Sequence, residues 1–195
     1  MHKLKTIEMH RLTVDEFKAS EKIPLVVVLD DVRSAYNVGS VFRTCDAFRV
    51  SKVCLCGITA TPPSNEIHKT ALGGEDSVAW EYFEDAADCV RSLRAQGYSV
   101  WSVEQVEHSV KLQNLPEELS LPLGENVDGT HVPGSDKQGI AVILGNEVKG
   151  VRQDVVDMSD GCLEIPQFGT KHSLNVSITG GIVIWEFAKR MIPEL

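Results

Sequence analysis

Three polar, glycine-bearing clusters follow directly on apolar runs, and they are where this sequence could do chemistry. Asn37-Val38-Gly39 with Arg43 comes a short loop after PLVVVLD (24–30). Gly145-Asn146-Glu147, then Gly150, comes straight off IAVIL (140–144). Ile165-Pro166, Gly169 and Ser173-Leu174-Asn175 follow CLEI (162–165) and open the last apolar stretch. Each has a plain reading: Asn37 and Ser173 as helix caps, Gly145 as a turn residue. Together they place hydrogen-bonding groups at three strand C-terminal ends, where an α/β sheet assembles a ligand site. Familiar signatures of other chemistries fail. There is no GxGxxG and no GxSxG, and Val151-Arg152 stand where a phosphate-binding loop with the Gly145–Gly150 spacing needs Lys-Ser/Thr. His68, His108, His131 and His172 lie too far apart to indicate a metal site, and the five cysteines form no CxxC pair.

The elements that must position these clusters alternate. PLVVVLD is a β-branched run of the kind buried on both faces of a sheet. A helix is expected from about Asn37, with Val38, Val41, Phe42 and Cys45 on one face. VCLCGI (53–58) reads as a strand, 63–72 as a short helix ended by Gly73-Gly74, and 85–96 as a helix ended by Gly97. YSVWSV (98–103), IAVIL and CLEI complete the strands, and 174–191 is an apolar closing helix. This alternation implies an α/β fold, a mostly parallel sheet with helices on both faces. Ahead of it, Thr13 and Glu16 are spaced as a capping box within a short N-terminal extension, residues 1–24. Residues 113–139 break the pattern with Pro116, Pro122, Pro133 and four glycines, and read as a lid, a recognition loop or an insertion within the domain of 25–195.

Composition narrows the partners. No apolar run approaches the roughly 18 residues of a membrane span. The cysteines read as reduced, mostly buried thiols of a cytoplasmic protein. A formal charge of −9 disfavours a polyanion at long range, yet residues 32–71 carry five basic residues, Arg33, Arg43, Arg49, Lys52 and Lys69, against Asp46 and Glu66. A local basic patch on an acidic chain is therefore expected, unless that excess is only a solvated face.

NVGSVFRT (37–44), ILGNEVKGV (143–151) and IPQFGTKHSLNVSITGGIVIWE (165–186) resemble, in order and spacing, the three motifs of the SpoU, or TrmH-type, RNA 2'-O-ribose methyltransferases of the SPOUT superfamily. The resemblance runs from about Leu25 to Arg190. It implies a C-terminal segment threaded into a deep trefoil knot, an exception to the usual absence of threaded connections. It implies S-adenosylmethionine as cofactor, tRNA or rRNA as substrate, a homodimer, and no metal. By resemblance, Gly145, Ile165 and Leu174 hold the cofactor, with Val103, Glu104, Ser173 and Asn175 as neighbours. Arg43 is assigned to the chemistry, and Asn37 and Glu147 shape the site. Glycine at 145 is expected to let the ligand approach backbone. Arginine is a poor base near neutral pH, so Arg43 is expected to grip a phosphate and orient the ribose hydroxyl. Family members often carry a further RNA-binding domain, and residues 1–24 look too short to be one. A SPOUT-fold protein that binds RNA or assists ribosome assembly without catalysis remains the alternative.

Overall fold

The structure is a computed structural model describing residues 2–3, 11–116, 119, 138–193 and 195. Its elements, in chain order, are α1 (Val14–Ala19), β1 (Ile23–Asp30), α2 (Ala35–Ala47), β2 (Val50–Cys56), α3 (Asn65–Ala71), α4 (Gly74–Ser77), β3 (Trp80–Phe83), α5 (Ala86–Ala95), β4 (Tyr98–Val103), β5 (Val110–Lys111), β6 (Gly139–Leu144), α6 (Gln153–Met158), β7 (Gly161–Glu164) and α7 (Val176–Met191). The seven strands form one sheet in the order β3-β2-β1-β6-β4-β7-β5. Every pairing is parallel, as the alternation of strands and helices requires.

Alternate residues of the central strands feed two cores. Leu25, Val27 and Leu29 of β1 join Val38, Val41 and Phe42 of α2 and Ile184 and Phe187 of α7. Val26 and Val28 face the other way, onto Val90 and Leu93 of α5 and Val155 of α6. β1 and β6 are buried along almost their whole length because a layer covers each face of the sheet. The Thr13–Glu16 capping box starts α1 as expected. All five cysteines are buried and free. No helix among the described residues is long and apolar enough to cross a membrane.

Several expectations shift. β2 begins at Val50, because β1 pairs from Ile23 onto it, and stops at Cys56, since Gly57 (φ +61°) turns the chain. β3, β5, α4 and α6 were not expected, and β3 is an edge strand whose Trp80, Glu81 and Tyr82 stay exposed. Most of the proline- and glycine-rich 113–139 stretch lies outside the described residues.

Candidate active site

The three sequence clusters meet at the carboxyl end of the sheet. β6 delivers the 145–151 loop, β7 the 165–175 loop, and the loop after β1 leads into the N-terminus of α2. Between the first two lies a cleft of about 300 Å³. Six of the residues expected to hold a cofactor line it: Val103, Glu104, Gly145, Ile165, Ser173 and Leu174. Apolar walls come from Leu144, Leu163 and Val176, and polar groups from Gln167, His172 and Thr179.

Local chemistry explains the shape of the 145–151 loop. Asn146 folds it: its Oδ1 accepts the N–H groups of Val148 (2.9 Å) and Lys149 (3.1 Å), and its Nδ2 donates to the Asp31 carbonyl at 2.8 Å. Asn146 and Gly150 close a backbone bridge. A Cβ on Gly145 would stand 2.2 Å from the Gly150 carbonyl carbon and 2.3 Å from the Val151 nitrogen. The missing side chain of Gly145 admits the loop's own backbone, so the glycine builds the wall of the cleft. Gly150 adopts φ +69°, in the left-handed region, and presses against the Glu104 carboxylate. Glu104 in turn accepts the Val151 N–H at 3.0 Å and the Gln105 N–H at 2.9 Å.

Glu147, expected as a site-shaping or catalytic residue, is fully engaged. Its Oε2 accepts the Arg33 N–H (2.9 Å); its Oε1 accepts the Ser34 N–H (3.0 Å) and the Asn37 Nδ2–H (3.1 Å). It thereby satisfies donors at the N-terminus of α2, where a carboxylate is favoured. Partial burial pushes its pKa up, but the Arg33 and Ser34 amides outweigh this and hold the carboxyl below its ordinary value. Asn37 Oδ1 then accepts from Asn175 Nδ2 at 3.2 Å. Asn175 N-caps α7, accepting the N–H groups of Ser177 (2.9 Å) and Ile178 (3.4 Å). One residue from each motif is thus bonded to the next. Asn175 does not line the cleft itself; it fixes the helix that closes it.

Arg43 stands apart from this network. Six residues along α2 from Asn37, it opens into a second, wider cavity of about 670 Å³ between α2 and α7, with Ser40, Thr44, Lys69, Ser177 and Trp185. The side chain is exposed and makes no ion pair or hydrogen bond among the described residues. Gly181, Ile178 and Ile182 of α7 also line this cavity. Of the large apolar residues of α7, Ile178, Ile182 and Trp185 are exposed and Phe187 is fully buried in the core. The described residues hold no cluster of three or more groups able to bind a metal ion.

No specific site role was expected of Asn146, Gln167 or Thr179. Asn146 was legible as part of the Gly145-Asn146-Glu147 cluster. Gln167 and Thr179 carried no signal beyond lying within the third motif.

The class is that of α/β proteins with a fully parallel sheet and a cleft at the carboxyl ends of its strands, the place where such sheets hold ligands. The chain belongs to the SpoU rRNA Methylase family, whose sequence profile matches residues 24–185. It is 25% identical over 186 residues to the 23S rRNA (guanosine-2'-O-)-methyltransferase RlmB of Vibrio parahaemolyticus, covering 95% of this chain and 67% of that one. It is 24% identical to the tRNA (guanosine(18)-2'-O)-methyltransferase of Thermus thermophilus, over 95% of this chain and 84% of the other. The AdoMet-bound rRNA methyltransferase structure from Sinorhizobium meliloti superposes with a TM-score of 0.72 at 24% identity, over 90% of this chain and 60% of that one.

Proposed function

We propose that this chain transfers a methyl group from S-adenosylmethionine to a ribose 2'-hydroxyl of tRNA or rRNA. The observation that carries the reading is the convergence of the three motifs on one cleft, tied by the Glu147–Asn37–Asn175 relay. The curated relatives that share this family bear the same activity in their names.

The cleft suits the cofactor. Its volume lies at the small end of ligand sites, and its mix of apolar wall and converging polar groups is the usual composition. Leu144, Leu163 and Ile165 offer apolar surface to an adenine ring, while Ser173, Gln167 and backbone at Gly145 and Leu174 offer hydrogen bonds. When bound, S-adenosylmethionine supplies an electrophilic methyl group. The protein's share is to orient the ribose hydroxyl and keep the cleft shaped. Glu147 has its carboxylate oxygens committed to α2, so its part is to hold the loop in place. Arg43, without a side-chain partner among the described residues and sharing its cavity with Lys69, is suited to a phosphate oxygen of the RNA, which a planar guanidinium grips with two donors.

Three finer points belong to this proposal. The C-terminal segment is threaded as a trefoil knot, a reading supported by β4 lying between β6 and β7 while α7 returns to pack on α2. The chain is a homodimer through the exposed Ile178, Ile182 and Trp185 face of α7. It works in the cytoplasm, as five unpaired buried thiols suit a reducing compartment.

Mass-spectrometric mapping of ribose methylation in total RNA from a deletion strain tests the function. One missing 2'-O-methyl site is expected; an unchanged methylation map would favour the non-catalytic alternative.

A further inference from the structure

The mouth of the cleft carries both carboxylates and exposed cations, on a chain of net charge −9. Its carboxylates are spent internally: Glu147 on α2, Glu104 on the Val151 amide, and Glu164 on Lys111 and Ser109. Its cations are not. Lys149 in the lining is exposed, as are Arg33, whose N–H Glu147 accepts, and Lys171, next to His172 of the lining; none makes an ion pair among the described residues. Phe168 stands in the 165–175 loop with Lys171, between Gln167, which lines the cleft, and Gly169. Its relative exposure is 98%, the highest of the exposed large hydrophobic residues, with Val148 of the 145–151 loop next at 76%. A Cβ on Gly169 would meet nothing within 4 Å, so this part of the loop stands clear of the domain. A phenylalanine normally buries its ring on folding, and one left wholly in water at the rim of a ligand cleft has its partner elsewhere.

Exposed cations on the same loops as an exposed aromatic ring are the chemistry that recognises single-stranded nucleic acid: the ring stacks on a base and the cations take the phosphates. We propose that Phe168 is the stacking platform for the nucleobase of the nucleotide to be methylated, with Lys149 and Lys171 on the adjoining phosphates. The proposal rests on the methyl-transfer reading of the cleft and says how a chain of charge −9 engages RNA there. With the base held on Phe168 at the rim, the ribose faces the cleft. Stacking accepts any base, so Phe168 positions the target nucleotide without choosing it.

The test measures fluorescence anisotropy of a labelled single-stranded polyadenylate oligonucleotide at fixed salt, with calorimetry of S-adenosylmethionine on the same proteins. Phe168→Ala and Phe168→Leu should weaken RNA binding about 5- to 100-fold, the loss of one stacked base. Phe168→Trp should bind like the wild type, and its added indole emission should be quenched by RNA. Cofactor affinity should not change in any of the three. Lys149→Ala and Lys171→Ala should each lower the slope of log affinity against log salt by about 0.7. Unchanged RNA affinity in both Phe168→Ala and Phe168→Leu overturns the proposal. So does a loss of cofactor affinity, which would make the ring a cover for the cofactor, or a loss of self-association, which would make it a subunit contact. A wild type that transfers no methyl group but binds RNA through Phe168 would refute the catalytic reading and leave the stacking platform standing.

Discussion

Two positions along α2, Asn37 and Arg43, present opposite kinds of polar residue. At its N-terminus Asn37 is bonded on both sides, to Glu147 and to Asn175, and every oxygen of that relay has a donor. One and a half turns on, Arg43 faces a broad cavity with no partner among the described residues. Both residues stand in the same motif, yet they are built for different work. A saturated group maintains geometry, because any new bond it makes must displace an existing one. An unsaturated, exposed guanidinium gives up little on meeting a phosphate, since its desolvation is its main cost. Within one motif, the residues that build the site and the residue that meets the substrate are thereby told apart by their hydrogen-bond partners.

That distinction can be broken by measuring stability and turnover in the same variants. Glu147→Ala should have the largest effect on the fold. It leaves the Arg33 and Ser34 amides and the Asn37 side chain without an acceptor, a loss of roughly 3 kcal/mol by urea unfolding, with cofactor affinity falling too. Because the folded-state pKa of Glu147 is lowered, its contribution is intact above the ordinary carboxylate range. It is lost as pH falls through the folded value, so the gap between wild type and variant should narrow in acid. A variant as stable as the wild type but without turnover would make Glu147 a direct participant and undo the comparison. Asn175→Ala should cost about 1 kcal/mol, the loss of an N-cap on α7, and is checked by the same unfolding curve. Arg43→Ala should be the mildest, within about 0.5 kcal/mol, as expected of an exposed side chain without partners among the described residues.

Much of this was legible in the residues. Continuous β-branched runs marked β1 and β6 because both faces are covered, and YSVWSV matched β4 without adjustment. β3 was not legible: Trp-Glu-Tyr-Phe at the sheet edge is mostly exposed and so carries no burial pattern. At the site, the motif positions identified which residues converge, but sequence could not tell a ligand contact from a loop brace. Gly145 shows why. Its spacing after an apolar strand signals close approach, and only the backbone path of Gly150-Val151 reveals what approaches. Phe168 fell inside a motif and drew no attention, since exposure is a property of the folded loop.

The central claim is that this cleft directs methyl groups to ribose and that Arg43 serves the substrate rather than the scaffold. The direct measurement follows labelled methyl from S-adenosylmethionine into unmodified RNA of the deletion strain, followed by alkaline hydrolysis. Methylation of a 2'-hydroxyl blocks cleavage at that position, so the label should appear in alkali-resistant dinucleotides. Arg43→Ala should bind the cofactor like the wild type and lose at least about a hundredfold in transfer, roughly 2.7 kcal/mol of transition-state stabilisation, with little recovery in Arg43→Lys. Label found only in mononucleotides, or near wild-type transfer by Arg43→Ala, would contradict the account.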